Sequence, residues 1–189
     1  MGLDIQIFYI LNNLAGKSDW LDFVLQFFAT DFFWVMWILF FVMLIITVHD
    51  KSRFARFVKK AAEIRKINLK LLLTAVISSG ASFVISQIIG KLFFRERPFV
   101  VLEGVTKLIE KSALDKSFPS DHTVLSFALA FSVFYFDKRW GILFIILASL
   151  VGLSRIFVGV HYLSDVIGGF ILAWAVSWLV FRLLSKIKL

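Results

Sequence analysis

Apolar runs long enough to cross a bilayer constrain this chain more than any single residue does. A membrane core takes about 20 helical residues, and the sequence carries apolar runs at about Phe32–Val48, Leu69–Ile89, Thr123–Phe136, Gly141–Leu153 and Val166–Leu184. The third and fourth are short. Only Asp137-Lys138-Arg139-Trp140 separates them, which reads as a helical hairpin. Two half-length runs, Ile5–Leu14 and Trp20–Ala29, flank Gly16-Lys17-Ser18-Asp19 and read as interfacial or re-entrant helices, with a sixth full span as the alternative. With 60% of 189 residues apolar, no soluble core could bury them all. The expectation is a single all-α domain over residues 1–189, an integral membrane helical bundle of five or six transmembrane helices. No short apolar stretch with a small-residue cleavage site opens the chain, so the spans themselves are expected to direct insertion.

Orientation follows from where the basic residues fall. Lys51, Arg53, Arg56, Lys59, Lys60, Arg65, Lys66 and Lys70 follow the first run, opposed only by Asp50 and Glu63, so that loop is expected in the cytoplasm. Alternation then brings Lys138-Arg139 and the Arg182, Lys186, Lys188 tail to the same side. It places Lys91–Ser120 and Ser154–Asp165 together on the outer side. The net charge of +8 thus meets anionic headgroups rather than nucleic acid. With no Cys, disulfides and thiolate ligands are excluded.

The remaining polar residues gather in those outer segments. His49, at the cytoplasmic end of a run, reads as an interfacial residue without chemistry. The outer clusters are Lys91-Leu-Phe-Phe-Arg95-Glu96-Arg97-Pro98, then Pro119-Ser120-Asp121-His122, then Ser154-Arg155 followed by His161 and Asp165. Arg97 and Arg155 offer planar forks that bind a phosphoryl group bidentately and stay charged at neutral pH. Ser120 or Asp121 suits the N-cap of the third run, whose helix N-terminus would present free amides to an anion. His161 and Asp165, four apart, would be neighbours on one helical face, where the carboxylate can fix the imidazole tautomer. Taken alone, that spacing also describes a capped helix start. Residues Val100–Ser117 mix charges around Val105, Leu108 and Ile109, as a short amphipathic helix at the interface would.

Together the clusters resemble the type 2 phosphatidic acid phosphatase family, whose pattern runs Lys-x6-Arg-Pro, Pro-Ser-x-His, then Ser-Arg-x5-His-x3-Asp. The second and third blocks match residue for residue. In the first, Gly90 holds the lysine's place and Lys91 stands one residue late, with Arg95 as a possible substitute. The resemblance implies that His161 is the nucleophile, Asp165 its orienting partner and His122 the general acid. It implies that Arg97, Ser120, Arg155 and Lys91 hold the phosphoryl oxygens, with no metal and no cofactor. Phe-Pro-Ser-Asp-His-Thr and Arg-Pro-Phe-Val look like the bacterial undecaprenyl pyrophosphate phosphatases of this family, associated with bacitracin resistance. The implied substrate is undecaprenyl diphosphate, converted to undecaprenyl phosphate and phosphate at the outer face of a bacterial cytoplasmic membrane. Phosphatidylglycerophosphate or phosphatidic acid is the rival lipid. A small transporter or lipid-binding protein is the non-enzyme alternative, and the oligomeric state is open.

Overall fold

The computed structural model describes residues 2–54 and 58–187, with side chains given for all of these outside 47–65. Every regular element among them is an α-helix: α1 (Leu3–Asn12), α2 (Asp19–Thr30), α3 (Phe32–Phe54), α4 (Val58–Leu92), α5 (Pro98–Val101), α6 (Asp121–Phe136), α7 (Lys138–Phe157) and α8 (Leu163–Lys186). His49 and the basic residues from Lys51 to Arg65 fall outside the described side chains.

By length and apolar character, Lys66–Leu92, α7 and α8 can each cross a bilayer. A fourth span exists if α2 and Phe32–Ile46, bent by 64° at their junction, count as one. Helix length alone therefore does not return the expected five. The reason is α6, whose 16 residues rise only about 24 Å. It packs against α4, α7 and α8, and from Thr123 to Val133 every residue but Leu125 is buried. A helix apolar on all sides must be enclosed, and here protein does most of the enclosing.

The hairpin read from the sequence is present. Asp137 ends α6 and caps α7, its carboxylate accepting from the Arg139 and Trp140 amides at 2.9 and 3.1 Å. Gly141 lets the two helices close, since a Cβ there would lie 2.2 Å from Phe134 Cα. Helix directions then bring the start of α6, the end of α7 and the start of α8 to one end of the bundle. At the other end Lys70 Nζ donates to the Ile187 carbonyl at 2.9 Å, tying α4 to the close of α8.

The N-terminal half-length runs form two separate helices. At ten residues α1 is too short to span, and it rests on α7 and α8 at the same end as the polar clusters. Asn12 fastens it there. Its amide donates to the Thr106 and Phe157 carbonyls, both at 2.8 Å, and its carbonyl accepts from the Thr106 N–H at 3.0 Å. Gly159 (φ +83°) completes this corner, because a Cβ would sit 2.6 Å from the Thr106 carbonyl oxygen.

The expected amphipathic helix in the outer loop is absent. Only the single turn of α5 is helical between Phe93 and Ser120, and residues 103–120 run irregularly. The apolar residues that suggested it pack onto the protein instead: Val105 against Phe8, Ile156 and Tyr162, and Leu108 and Ile109 against Phe157, Val158 and Val160. Backbone groups of this loop bond to other elements, as with Leu108 N–H to the Val158 carbonyl at 3.2 Å and Ser117 N–H to the Arg95 carbonyl at 2.8 Å. Those outside partners replace the internal ladder that a helix would need.

Asn12→Ala should leave three loop and helix-end groups without partners and cost about 1–3 kcal/mol. Thermal unfolding in detergent checks this, with a lower Tm expected; an unchanged Tm would show that Asn12 does not hold α1 in place.

Candidate active site

Two loops and two helix starts meet at one end of the bundle, joining the outer segments that the sequence placed on a common side. Arg97, just before α5, is almost fully buried. It donates through Nε to the Asp115 carbonyl at 3.2 Å and through Nη1 to the Val160 carbonyl at 3.0 Å. The same Nη1 lies 3.2 Å from His161 Nε2. An arginine has no acceptor to offer, so that contact requires a lone pair on Nε2 and places the ring proton on Nδ1. Nδ1 lies 3.4 Å from Asp165 Oδ2, long for a hydrogen bond and without another partner among the described residues. The carboxylate thus stands where the expected orienting partner should.

The pair differs from the expected arrangement in one respect. His161 precedes α8, so the two do not share a helical face. Asp165, in the first turn, reaches back to accept from the Tyr162 N–H at 2.8 Å. The capped helix start and the oriented histidine are one structure.

Asp165 is wholly buried and richly bonded. Ser117 Oγ donates to Oδ2, and Arg95 Nη1 donates to Oδ1 at 2.8 Å. Arg95 also reaches Ser164 Oγ at 2.6 Å and Asp4 Oδ2 at 2.9 Å, while lying 3.8 Å over the Tyr162 ring. Burial works against the Arg95 charge, but Asp4 and Asp165 outweigh it and raise its pKa. Arg95 Nη1 and Nη2 are thus engaged by Asp165, Ser164 and Asp4, which ties this guanidinium to the start of α8 and to α1. Sequence reasoning missed Asp4 as its partner; a lone carboxylate immediately before the apolar run at the chain's start was the available signal.

Arg155, at the end of α7, is 1% exposed and donates from Nη1 to the Ala29 carbonyl at 2.7 Å. Its Nε and Nη2 are buried with no partner among the described residues. Two orphaned donors of a buried guanidinium are costly unless an anion completes them. His122 lies in the first turn of α6, within electrostatic reach of Arg155 and His161. Ser120 occupies the N-cap position but its side chain caps no amide. Its hydroxyl instead accepts from Thr123 Oγ1 at 3.1 Å. First-turn amides of α6 are left for a ligand.

A cavity of about 530 Å³ opens beside these groups, lined by Lys91, Arg97, Lys111, Lys116, Asp121 and His122 and walled by Phe83, Phe94, Leu114 and Leu125. Lys91 lines it without a partner among the described residues. A second, apolar groove of about 610 Å³ between α3, α4 and α6 is lined by Phe33, Trp34, Trp37, Ile38, Phe41 and Gly80. Phe83 and Leu125 line both, so the polar cavity and the apolar groove adjoin.

Burial, reinforced by Arg155 and Arg97, pushes His161 down to about 4 from 6.5, with Asp165 opposing. The folded protein therefore holds this imidazole neutral while an unfolded chain protonates it near 6.5. Stability is untouched by His161 above that pH and falls as pH drops from about 6.5 toward 4. The loss is on the order of 3 kcal/mol. His161→Gln should flatten this part of the stability curve in detergent; an unchanged slope would mean that His161 is not held neutral.

The chain is similar over most of its length to several known proteins. The PAP2 superfamily model matches residues 69–188. The bacitracin transport permease protein BcrC of Bacillus licheniformis is 34% identical over 98% of this chain and 83% of its own length. The undecaprenyl-diphosphatase BcrC of Bacillus subtilis is 31% identical over 95% of this chain and 83% of its own. The crystal structure of Aquifex aeolicus LpxE superposes with a TM-score of 0.68, at 23% identity, over 96% of each chain.

Proposed function

This chain belongs to the PAP2 superfamily, and from that premise we propose that it hydrolyses undecaprenyl diphosphate to undecaprenyl phosphate and phosphate, working as one domain of a multi-pass membrane protein. The observation that carries this reading is the pair of unbonded donors on buried Arg155, near an imidazole whose Nε2 must bear a lone pair. A phosphoryl group satisfies both. It takes the guanidinium donors and presents phosphorus to the lone pair.

The steps follow from the residues. Arg155, Arg97, Ser120, Lys91 and the α6 amides surround the terminal phosphoryl oxygens, where charge is spread in the transition state. Arg97 leaves Nε2 for an oxygen, freeing the lone pair. His161 Nε2 attacks phosphorus and the bond to the bridging oxygen breaks; His122, which takes up a proton when the diphosphate brings its negative charge into the site, gives that proton to the departing undecaprenyl phosphate. Asp165 holds Nδ1–H and stabilises the charge that the ring acquires. Water, deprotonated by His122, then cleaves the phosphohistidine and restores the imidazole. Arginines and amides supply the positive charge, so neither metal nor cofactor has a step.

The lipid tail lies in the adjoining groove. Phe33, Trp34, Trp37 and Phe41 offer flat aromatic surface to an unsaturated isoprenoid, and Phe83 and Leu125 stand at the passage from headgroup to tail. Positive-inside asymmetry supports an outward-facing site in the cytoplasmic membrane. A transport function, which the Bacillus licheniformis relative's name suggests, calls for ionisable groups near mid-membrane. Between Lys70 and Lys91, between Asp121 and Asp137, and between Asp165 and Arg182, the sequence has no charged residue apart from these end members. That favours a hydrolase with its chemistry at one boundary.

Purified protein should release phosphate from undecaprenyl diphosphate faster than from phosphatidylglycerophosphate or phosphatidic acid. His161→Ala should abolish release and His122→Ala lower kcat about 10²–10⁴-fold, with thermal unfolding unchanged enough to show a retained fold. Gly80→Leu, whose side chain would enter open space in the groove, should raise KM for the long polyprenyl substrate and spare a short prenyl diphosphate. No phosphate release from any lipid phosphate or diphosphate would contradict the reading.

A further inference from the structure

The cavity contains a cation that belongs to no motif. Lys116 comes from the irregular outer loop, yet its side chain is only 10% exposed. Its ammonium donates to Asp121 Oδ1 at 2.7 Å, to the Pro119 carbonyl at 2.7 Å and to Ser86 Oγ at 3.1 Å. Three donors meet three acceptors, so the ammonium is fully used. Its partners come from α4 and from both sides of Ser120, the residue before Asp121-His122. Ser86 Oγ also donates to Asp121 Oδ1 at 2.6 Å, which closes the cluster.

To reach that position the lysine stem crosses α4 at Gly90. A Cβ on Gly90 would lie 1.7 Å from Lys116 Cδ and 2.7 Å from Cε. Gly90 sits within α4, where glycine costs roughly 1 kcal/mol against alanine. Its backbone does not adopt positive φ. What requires glycine here is the room that the lysine takes.

We infer that Lys116, admitted by Gly90, is a positioning residue of the phosphate cavity: it neutralises Asp121 and clamps the Pro119–His122 turn so that an anion can enter beside His122. This rests on the phosphatase reading above. Without the ammonium, Asp121 would face the cavity as an uncompensated carboxylate and repel the substrate's charge. The turn would also lose the bond that fixes the Pro119 carbonyl. The larger defect is the electrostatic one, and removing the Asp121 charge should relieve it while leaving the smaller loss at the Pro119 carbonyl.

The test measures kcat and KM on a prenyl diphosphate for four variants. Lys116→Met, which keeps the stem and loses the charge, should lower kcat/KM by about tenfold or more, mainly through KM. Gly90→Ala should cause a similar loss, because the methyl group displaces a flexible side chain rather than backbone. Gly90→Ala combined with Lys116→Met should be no worse than either alone, since both remove one interaction. Lys116→Met combined with Asp121→Asn should recover most of the loss, which a merely structural lysine would not allow. Multiplying losses in the first pair, an unrescued second pair, or single variants with wild-type kinetics would each overturn the inference. Absence of turnover in the unaltered protein would instead refute the phosphatase reading, so the two failures are distinguishable.

Discussion

The polar end of this bundle is organised around one buried carboxylate. Asp165 accepts from Ser117 of the outer loop, from Arg95 after α4 and from the amide of Tyr162, and it faces His161. An isolated carboxylate in so dry a place would protonate or unfold its surroundings. These donors make its charge tolerable, and in doing so they bind the outer loop to the start of α8. The Ser120 N–H bonds the Asp165 backbone carbonyl at 3.2 Å, which brings the α6 turn into register with α8. The fold and the proposed catalytic geometry at this end therefore rest on the same set of bonds.

What the sequence made legible was local or periodic. Apolar runs marked the membrane helices, Asp137 marked the α6–α7 hairpin, and the spacings around Arg97, His122, Arg155, His161 and Asp165 marked the residues that gather at the proposed phosphate site. What it hid was long-range. Asp4 meets Arg95 from 91 positions away, and Asn12 reaches Phe157 across 145. No window of sequence contains both members of such a pair. The amphipathic pattern at Val105, Leu108 and Ile109 misled for a related reason: it reports burial of those residues but not whether a helix or a bonded irregular loop buries them. The shortness of the third run, visible in the sequence, has its reason in the packing, because a helix enclosed by protein need not match the thickness of a bilayer.

One departure from the motif, and the place of one candidate ligand, have physical reasons in three dimensions. Glycine at position 90 leaves space for Lys116, so the first cluster's irregular spacing coincides with a cation that arrives from another segment. Arg95, which the spacing offered as a phosphate ligand, is spent on Asp4 and Asp165. Arg97 and Arg155 remain, one touching His161 and the other holding two unused buried donors. Charge is thus divided between Arg95, which ties the scaffold together, and Arg97 and Arg155, which the proposed mechanism assigns to an anion.

The most direct test of this account is a structure of the protein with vanadate, a mimic of the transferring phosphoryl group. The account predicts vanadium within bonding distance of His161 Nε2, Arg155 Nε and Nη2 donating to its oxygens, and His122 facing the oxygen opposite the histidine. Vanadate bound away from His161, with the Arg155 donors still unpaired, would contradict it.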